Sequence, residues 1–372
     1  MIRSNCYLTG IILVTIILLT VSSGAAHITY AWSLKYSYLI NMSDANNGKI
    51  VIAVTAAPLM YVASFIGGDR VVVYSLVPAG VDPHHFEPST SFLVNSLSNA
   101  TIVLMTGPSH LIIESRISEL VREGVVKARI VDYRNYLKHG LNLMTNPKTG
   151  KINPHGYLLT YSGLLAAASS LAEVLAVVDP LHENYYYSRL QDFEKLIIKE
   201  NQSVRKVVPH NVRVILFTPI LQYVINELGL KCNGIVLQEP ETEFSEAVLK
   251  ELIDSYKKGL FDVVLITDFM AAKYPKVLEL LNLNRIPYVV VPISTLSSTP
   301  HLIPAVIAIL VNDLKISAFS VNYEERQGST GLFDIGELPA TLVISEAILI
   351  IVLVIVIVAQ RKYIESRVIS GE

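Results

Sequence analysis

Apolar residues along this chain fall into short continuous runs that alternate with stretches of helical period. Ile50-Val51-Ile52-Ala53-Val54 is apolar at every position, the mark of a strand buried on both faces. Pro58 to Ile66 reads as a helix stopped by Gly67-Gly68, because glycine ends a helix without strain. Val71 to Val77 then reads as a strand, Phe92 to Ser98 as a helix, and Ile102 to Met105 as a strand ending at Gly107. The pattern restarts at Val212. Val214 to Phe217 is a strand, Ile220 to Leu228 a helix with Gly229 as its stop, and Gly234 to Leu237 a strand. Phe244 to Lys258 is a helix, Val263 to Ile266 a strand, Tyr274 to Leu281 a helix and Tyr288 to Val291 a strand, with a last helix from about His301 to Ile316. Strands alternating with helices predict an α/β body whose parallel sheets are flanked by helices. Leu59-Met60-Tyr61-Val62 falls beside Leu221-Gln222-Tyr223-Val224 when the two halves are aligned, so two lobes of similar build are expected. Between them Leu158 to Val178 is helical, Asp179-Pro180 breaks it, and Asn184 to Val207 forms a long amphipathic helix. A helix of that length joins the lobes as a rigid strut.

The two ends follow a different pattern. Met1-Ile2-Arg3, an apolar stretch from Leu8 to Val21 and the small residues Ser22 to Ala26 read as a secretory signal peptide. Cys6 precedes the apolar run, so it is not placed as a lipoprotein acceptor. Leu342 to Ala359 is almost wholly branched aliphatic and is followed by Arg361, Lys362 and Arg367. A run of that length just spans a bilayer core, and the trailing cations keep the tail cytoplasmic. The expected organisation is a signal peptide (1–26), a spacer (27–48), an N-terminal lobe (49–178), a linking helix (179–208), a C-terminal lobe (209–316), a stalk (317–338), a transmembrane helix (339–360) and a cytoplasmic tail (361–372). The body would then lie at the cell surface, tethered to the cell membrane at its C-terminal end.

Composition narrows the function. The chain has 372 residues, a formal net charge of −2 and only 17 % charged residues, which gives no electrostatic footprint for nucleic acid. Cys232 is the only cysteine after signal removal, so neither an internal disulfide nor a thiolate metal cluster is expected. Acceptor triplets for glycosylation begin at Asn41, Asn99 and Asn201, which suits an extracellular body.

The chemistry concentrates in two loops, Asp82-Pro83-His84-His85-Phe86-Glu87-Pro88 and Asn153-Pro154-His155-Gly156-Tyr157. Each places a histidine after a proline, whose fixed φ stiffens the backbone that aims the imidazole. Two such histidines meeting in space are half of a tetrahedral metal site. Open parallel sheets bind ligands beyond the carboxyl ends of their strands. His84, Thr218, Asp268 and Ser294 all follow predicted strands and fall on that edge, and His155 can turn into the same cleft. His27, His110, His139, His182 and His210 are read as surface or packing histidines.

From Lys49 to about Leu314 the chain resembles the zinc- and manganese-type solute-binding proteins of ABC importers. The resemblance is carried by Gly67-Gly68-Asp69, by Val77-Pro78-Ala79-Gly80-Val81-Asp82-Pro83-His84 with Glu87-Pro88, and by Gly107. Pro154-His155 with Tyr157, and Asp179-Pro180 with Tyr187 before the long helix, complete it. It implies a two-lobed body, one divalent ion in the cleft as transported ligand, and a permease with its ATPase as partners. It implies that His84 and His155 are the ligands of the N-terminal lobe. Three positions depart from the family: Asn153 stands where it usually has Asp, Thr218 where it has His or Glu, and Ser294 where it commonly has Asp. Hydroxyls are weak donors to Zn²⁺ or Mn²⁺. Asp268 is the preferred third ligand, with His85, His301 and Glu239 as further candidates. Neutral imidazole binds metal and imidazolium does not, so affinity should fall as pH drops through about 6.5. The alternative is a surface recognition or adhesion protein that kept the fold and lost or altered the site. A metallohydrolase would need a general base beyond Glu87 or Glu239, and no enzyme is expected.

Overall fold

Two four-stranded parallel sheets of identical strand order make the body. In the computed structural model, residues 48–325 are described apart from 79, 80, 82, 109 and 240–243, with side chains described through Leu314. The expected signal peptide, membrane helix and cytoplasmic tail lie outside the described residues.

The first lobe contains β1 (Ile50–Val54), α1 (Ala57–Gly67), β2 (Val71–Ser75), α2 (Thr90–Leu97), β3 (Ile102–Leu104), α3 (Ile112–Arg122), β4 (Arg129–Val131) and α4 (Tyr133–Tyr136). Its strand order is β2-β1-β3-β4. The second contains β5 (Arg213–Leu216), α7 (Gln222–Leu228), β6 (Lys231–Ile235), α8 (Glu246–Lys257), β7 (Val263–Thr267), α9 (Asp268–Lys273), α10 (Pro275–Leu283), β8 (Tyr288–Val291) and α11 (Ile293–Leu296). Its order, β6-β5-β7-β8, repeats the first. Two long helices, α5 (Tyr161–Val178) and α6 (Glu183–Val204), lie between the lobes in sequence, and α12 (Ile303–Glu325) follows the second.

Local chemistry explains the boundaries. Ser89 caps α2 by accepting the Phe92 amide, and Thr160 caps α5 by accepting that of Gly163. Asp132 and Asn135 form a reciprocal capping box on α4. Gly229 ends α7 in the left-handed region at φ 72°. The apolar pattern passes over α3 and β4. The first buries only the apolar stripe Ile113, Ile117 and Leu120, with the carboxylate of Glu114 among them, and the second is a three-residue edge strand. β6 starts before the expected Gly234, because its exposed residues Lys231 to Asn233 carry no apolar signal. α12 runs past Ile316 to Glu325, with neither glycine nor proline to stop it there.

Period-two side chains sort the strands between layers. Ile52 and Val54 of β1 join the large core that also holds α1, α5, α6 and the inner faces of β5 and β7. Ala53 points the other way, with α2 and α3. Phe217, Val264 and Ile266 form the matching outer layer of the second lobe. α5 is long and apolar enough to cross a membrane, yet 67 % of it is buried inside the body. Its small residues Ala166, Ala167, Ala168 and Ala172 let neighbours pack closely, so it serves as the core helix. α6 lays Tyr186, Phe193 and Ile197 into the same core, with Phe193 edge-on to Phe65 at 4.9 Å.

The segment before α5 ties the lobes together. Tyr223 of α7 donates its hydroxyl to the Asn153 carbonyl at 2.6 Å and accepts the Met144 amide at 2.9 Å. Asn153, 1 % exposed, donates its side-chain amide to the Pro219 carbonyl and to Gln222 Oε1, both at 2.9 Å. Gln222 in turn donates to the Thr145 carbonyl. Gly156 has φ 87°, and a Cβ on it would overlap the Ile220 carbonyl, so only glycine lets the two lobes approach there.

Candidate metal centre

Three imidazoles converge at the carboxyl edge of the first sheet. His84 lies beyond β2, His110 beyond β3, and His155 in the segment before α5. One potential ligand atom from each lies within 4.8 Å of the others. Ring centroids are 5.2 Å apart for His84–His110 and for His84–His155, and 4.7 Å for His110–His155. His110 Nε2 is 3.1 Å from His155 Nδ1. On its other side His155 Nε2 is 3.1 Å from Glu239 Oε2, a carboxylate on the loop after β6. His155 is 8 % exposed and Glu239 39 %.

The strands and their hydrogen bonds aim these groups. The His155 amide donates to Asn153 Oδ1 at 2.9 Å, which sets the loop in the turn that projects the ring. The same segment holds Glu239 in place from the other side. Asn146 donates to the Gln238 carbonyl at 2.7 Å, and Lys148 Nζ to the Val236 carbonyl at 2.7 Å. Thr106 Oγ1 is 2.9 Å from His110 Nδ1 and 2.8 Å from Glu114 Oε2, and the Tyr157 hydroxyl donates to the Thr106 carbonyl.

Burial sets the charge state. Loss of hydration pushes His110 down to about 3, with His155 and His84 adding repulsion, and His155 down to about 4, with His84 adding repulsion. Both rings therefore stay neutral near pH 7, as metal ligation requires. Proton competition at these two falls below the window around 6.5 expected of free imidazole. Glu114 is pulled both ways: burial raises it, hydrogen bonds from Thr55, Thr106 and Gly107 lower it, and it settles at about 7.

The structure thus brings His84 and His155 together, and adds His110, which the sequence reading assigned to the surface or packing. Its signal was available: His110 follows β3 as His84 follows β2, so the edge rule that selected one applied to both. Glu239, a lesser candidate, meets His155 directly. Asp268 and Ser294 meet each other: the Ser294 amide donates to both Asp268 oxygens at 3.2 and 3.0 Å, and the Phe269 amide adds a third bond. That carboxylate serves the first turns of α9 and α11, and the third member of the three-imidazole cluster is His110. Thr218 is buried and starts the turn Pro219–Leu221. His85 is exposed, and His301 stacks on Tyr61 at 4.8 Å. His139 and His182 pair with Glu173 and Asp179.

A family model described as zinc-uptake complex component A, periplasmic, matches residues 52–296. The metal ABC transporter substrate-binding lipoprotein FimA of Streptococcus parasanguinis is 24 % identical over 225 residues, 58 % of this chain and 71 % of that protein. The manganese ABC transporter substrate-binding lipoprotein PsaA of Streptococcus pneumoniae is 22 % identical with the same coverage. Among solved structures, FpvC of Pseudomonas aeruginosa in complex with Mn²⁺ superposes with a TM-score of 0.60 at 20 % identity, covering 73 % of this chain and 99 % of that one. That likeness speaks for the two-lobed fold.

Proposed function

Because the chain belongs to the family of zinc-uptake complex component A periplasmic proteins, we propose that it is the substrate-binding component of an ABC importer, capturing a divalent transition metal between its lobes. The observation that carries this is the cluster of His84, His110 and His155, with ligand atoms within 4.8 Å of one another and Glu239 beside His155. Zn²⁺ and Mn²⁺ are both candidate cargo. Three imidazoles suit Zn²⁺ better, since Mn²⁺ favours oxygen donors. The adhesion alternative rested on a cleft that had lost donors at Thr218 and Ser294; His110 offers a donor from another element in their place.

The partners in this reading are a permease and its ATPase. The signal peptide at 1–26 would direct the body out of the cell and the membrane helix at 339–360 would tether it there, with residues 361–372 in the cytoplasm. The tested property is metal capture by the whole chain in detergent, followed by calorimetry or chelator competition with Zn²⁺ and Mn²⁺. Binding tighter than about 100 µM, roughly −5.5 kcal/mol, is expected, and is lost in His84→Ala and His110→Ala. No binding of either ion at that level refutes the reading. Protease digestion of intact cells should remove the body and leave a tag on the C-terminal tail.

A further inference from the structure

Glu114 is fully buried and no part of the ion's immediate surroundings, yet it is joined to them by one hydroxyl. It is the third residue of α3, and its carboxylate gathers donors from the ends of two strands. Thr55, just past β1, gives its hydroxyl. Thr106 and Gly107, just past β3, give their backbone amides at 2.6 and 3.1 Å. The Thr106 hydroxyl lies 2.9 and 2.8 Å from the two carboxylate oxygens and 2.9 Å from His110 Nδ1.

A hydroxyl has one proton to give. With Glu114 ionised, the Thr106 proton goes to its carboxylate, the Thr106 oxygen can only accept from His110, and that requires the proton of His110 on Nδ1. Nε2 is then the bare nitrogen. Nε2 is also the atom that faces His155 Nδ1 at 3.1 Å. On His155 the same logic runs through Glu239, whose carboxylate accepts the Nε2 proton and leaves Nδ1 bare. A tetrahedral ion about 2.05 Å from each nitrogen needs them roughly 3.3 Å apart. The observed separation is within a few tenths of an ångström of that.

We propose that Glu114, acting through the Thr106 hydroxyl, is a positioning residue that fixes the Nδ1–H tautomer of His110, so that His110 Nε2 and His155 Nδ1 present facing lone pairs to the metal. This rests on the metal-binding reading above. Ligand histidines commonly give their second N–H to a carboxylate or carbonyl, and removing such a partner costs 10- to 100-fold in affinity. Here one carboxylate acts directly and the other through a hydroxyl.

The test measures Zn²⁺ affinity by chelator competition on the whole chain, for the unaltered protein and for Thr106→Ser, Thr106→Val, Glu114→Gln and His110→Ala. Thr106→Ser keeps the hydroxyl and should stay within a few-fold. Thr106→Val, nearly isosteric, should weaken binding about 10- to 100-fold. Glu114→Gln should do at least as much, because a glutamine amide donates to Thr106 and turns the hydroxyl toward Nδ1. ¹⁵N spectra of the zinc-loaded protein should show His110 protonated on Nδ1 and metal-bound through Nε2. A purely structural role would lower the melting temperature of the metal-free variants and leave affinity and tautomer unchanged. Thr106→Val binding as tightly as the unaltered chain, or His110 ligating through Nδ1, overturns the proposal. If His110→Ala abolishes binding while Thr106→Val does not, the metal-binding reading stands and this one falls. No zinc binding by the unaltered chain removes both.

Discussion

Asn153→Asp exchanges one amide for a carboxylate and should be among the most damaging conservative changes in the body. The side-chain amide of Asn153 donates to the Pro219 carbonyl and to Gln222 Oε1, both at 2.9 Å, and the residue is 1 % exposed. A carboxylate has no proton for either acceptor. Two neutral hydrogen bonds are lost at about 1 kcal/mol each, and an uncompensated buried charge costs about 3–5 kcal/mol. The pair of effects overlaps, so a loss of about 3–5 kcal/mol is expected at pH 7. For a body of this size that lowers the melting temperature by roughly 6–20 °C. Urea and thermal unfolding of the metal-free chain, followed by circular dichroism, read it directly. A double-mutant cycle with Asn153→Ala and Gln222→Ala isolates the contact across the lobes, with a coupling of about 1 kcal/mol. The new carboxylate still accepts the His155 amide, so zinc affinity of the folded fraction should change less than stability does. A loss of under about 1 kcal/mol on Asn153→Asp would show that this bond set is not what joins the lobes.

Three further outcomes follow from the same geometry. Gly156→Ala, at φ 87° with the Ile220 carbonyl in the way of a Cβ, should destabilise the body by at least about 2 kcal/mol and is checked by thermal unfolding. Acidification should destabilise the metal-free body: burial holds His110 at about 3 and His155 at about 4, while the unfolded chain takes up protons from about 6.5 downward. Stability from these rings is therefore full above that value and falls as pH drops toward the folded values, on the order of 2 kcal/mol per histidine between pH 7 and 5, while Glu114, held at about 7, takes up a proton in the folded state and offsets about 2 kcal/mol, so the net loss is about 2 kcal/mol. Urea unfolding that does not change between those pH values counts against neutral, buried rings. Zinc at 100 times its Kd should add about 2.7 kcal/mol of stability, reversed by chelator, and a melting temperature indifferent to zinc would argue against a formed site.

Legibility differed by element. β1 and β7 were plain in the sequence because both faces are buried and every residue but Thr267, the last of β7, is apolar. β4 was not, and β6 was plain only from Gly234 onward, since edge strands with exposed residues such as Arg129 and Lys231 carry little pattern. His84 and His155 announced themselves through the prolines before them. His110 had no such neighbour, and its place rests on the short strand β3 and on the fold bringing that edge to His155.

The sequence by itself determined the alternation of strands and helices, the repetition of one lobe plan and two of the three clustered imidazoles, because these depend on local periodicity and stiff backbone. Only the tertiary structure decided the third imidazole, the meeting of Glu239 with His155, and the diversion of Asp268 to the Ser294 amide. Those depend on which loops share a sheet edge and which hydrogen-bond donors lie nearest a carboxylate. Distance in space settles such choices, and spacing along the chain does not encode it.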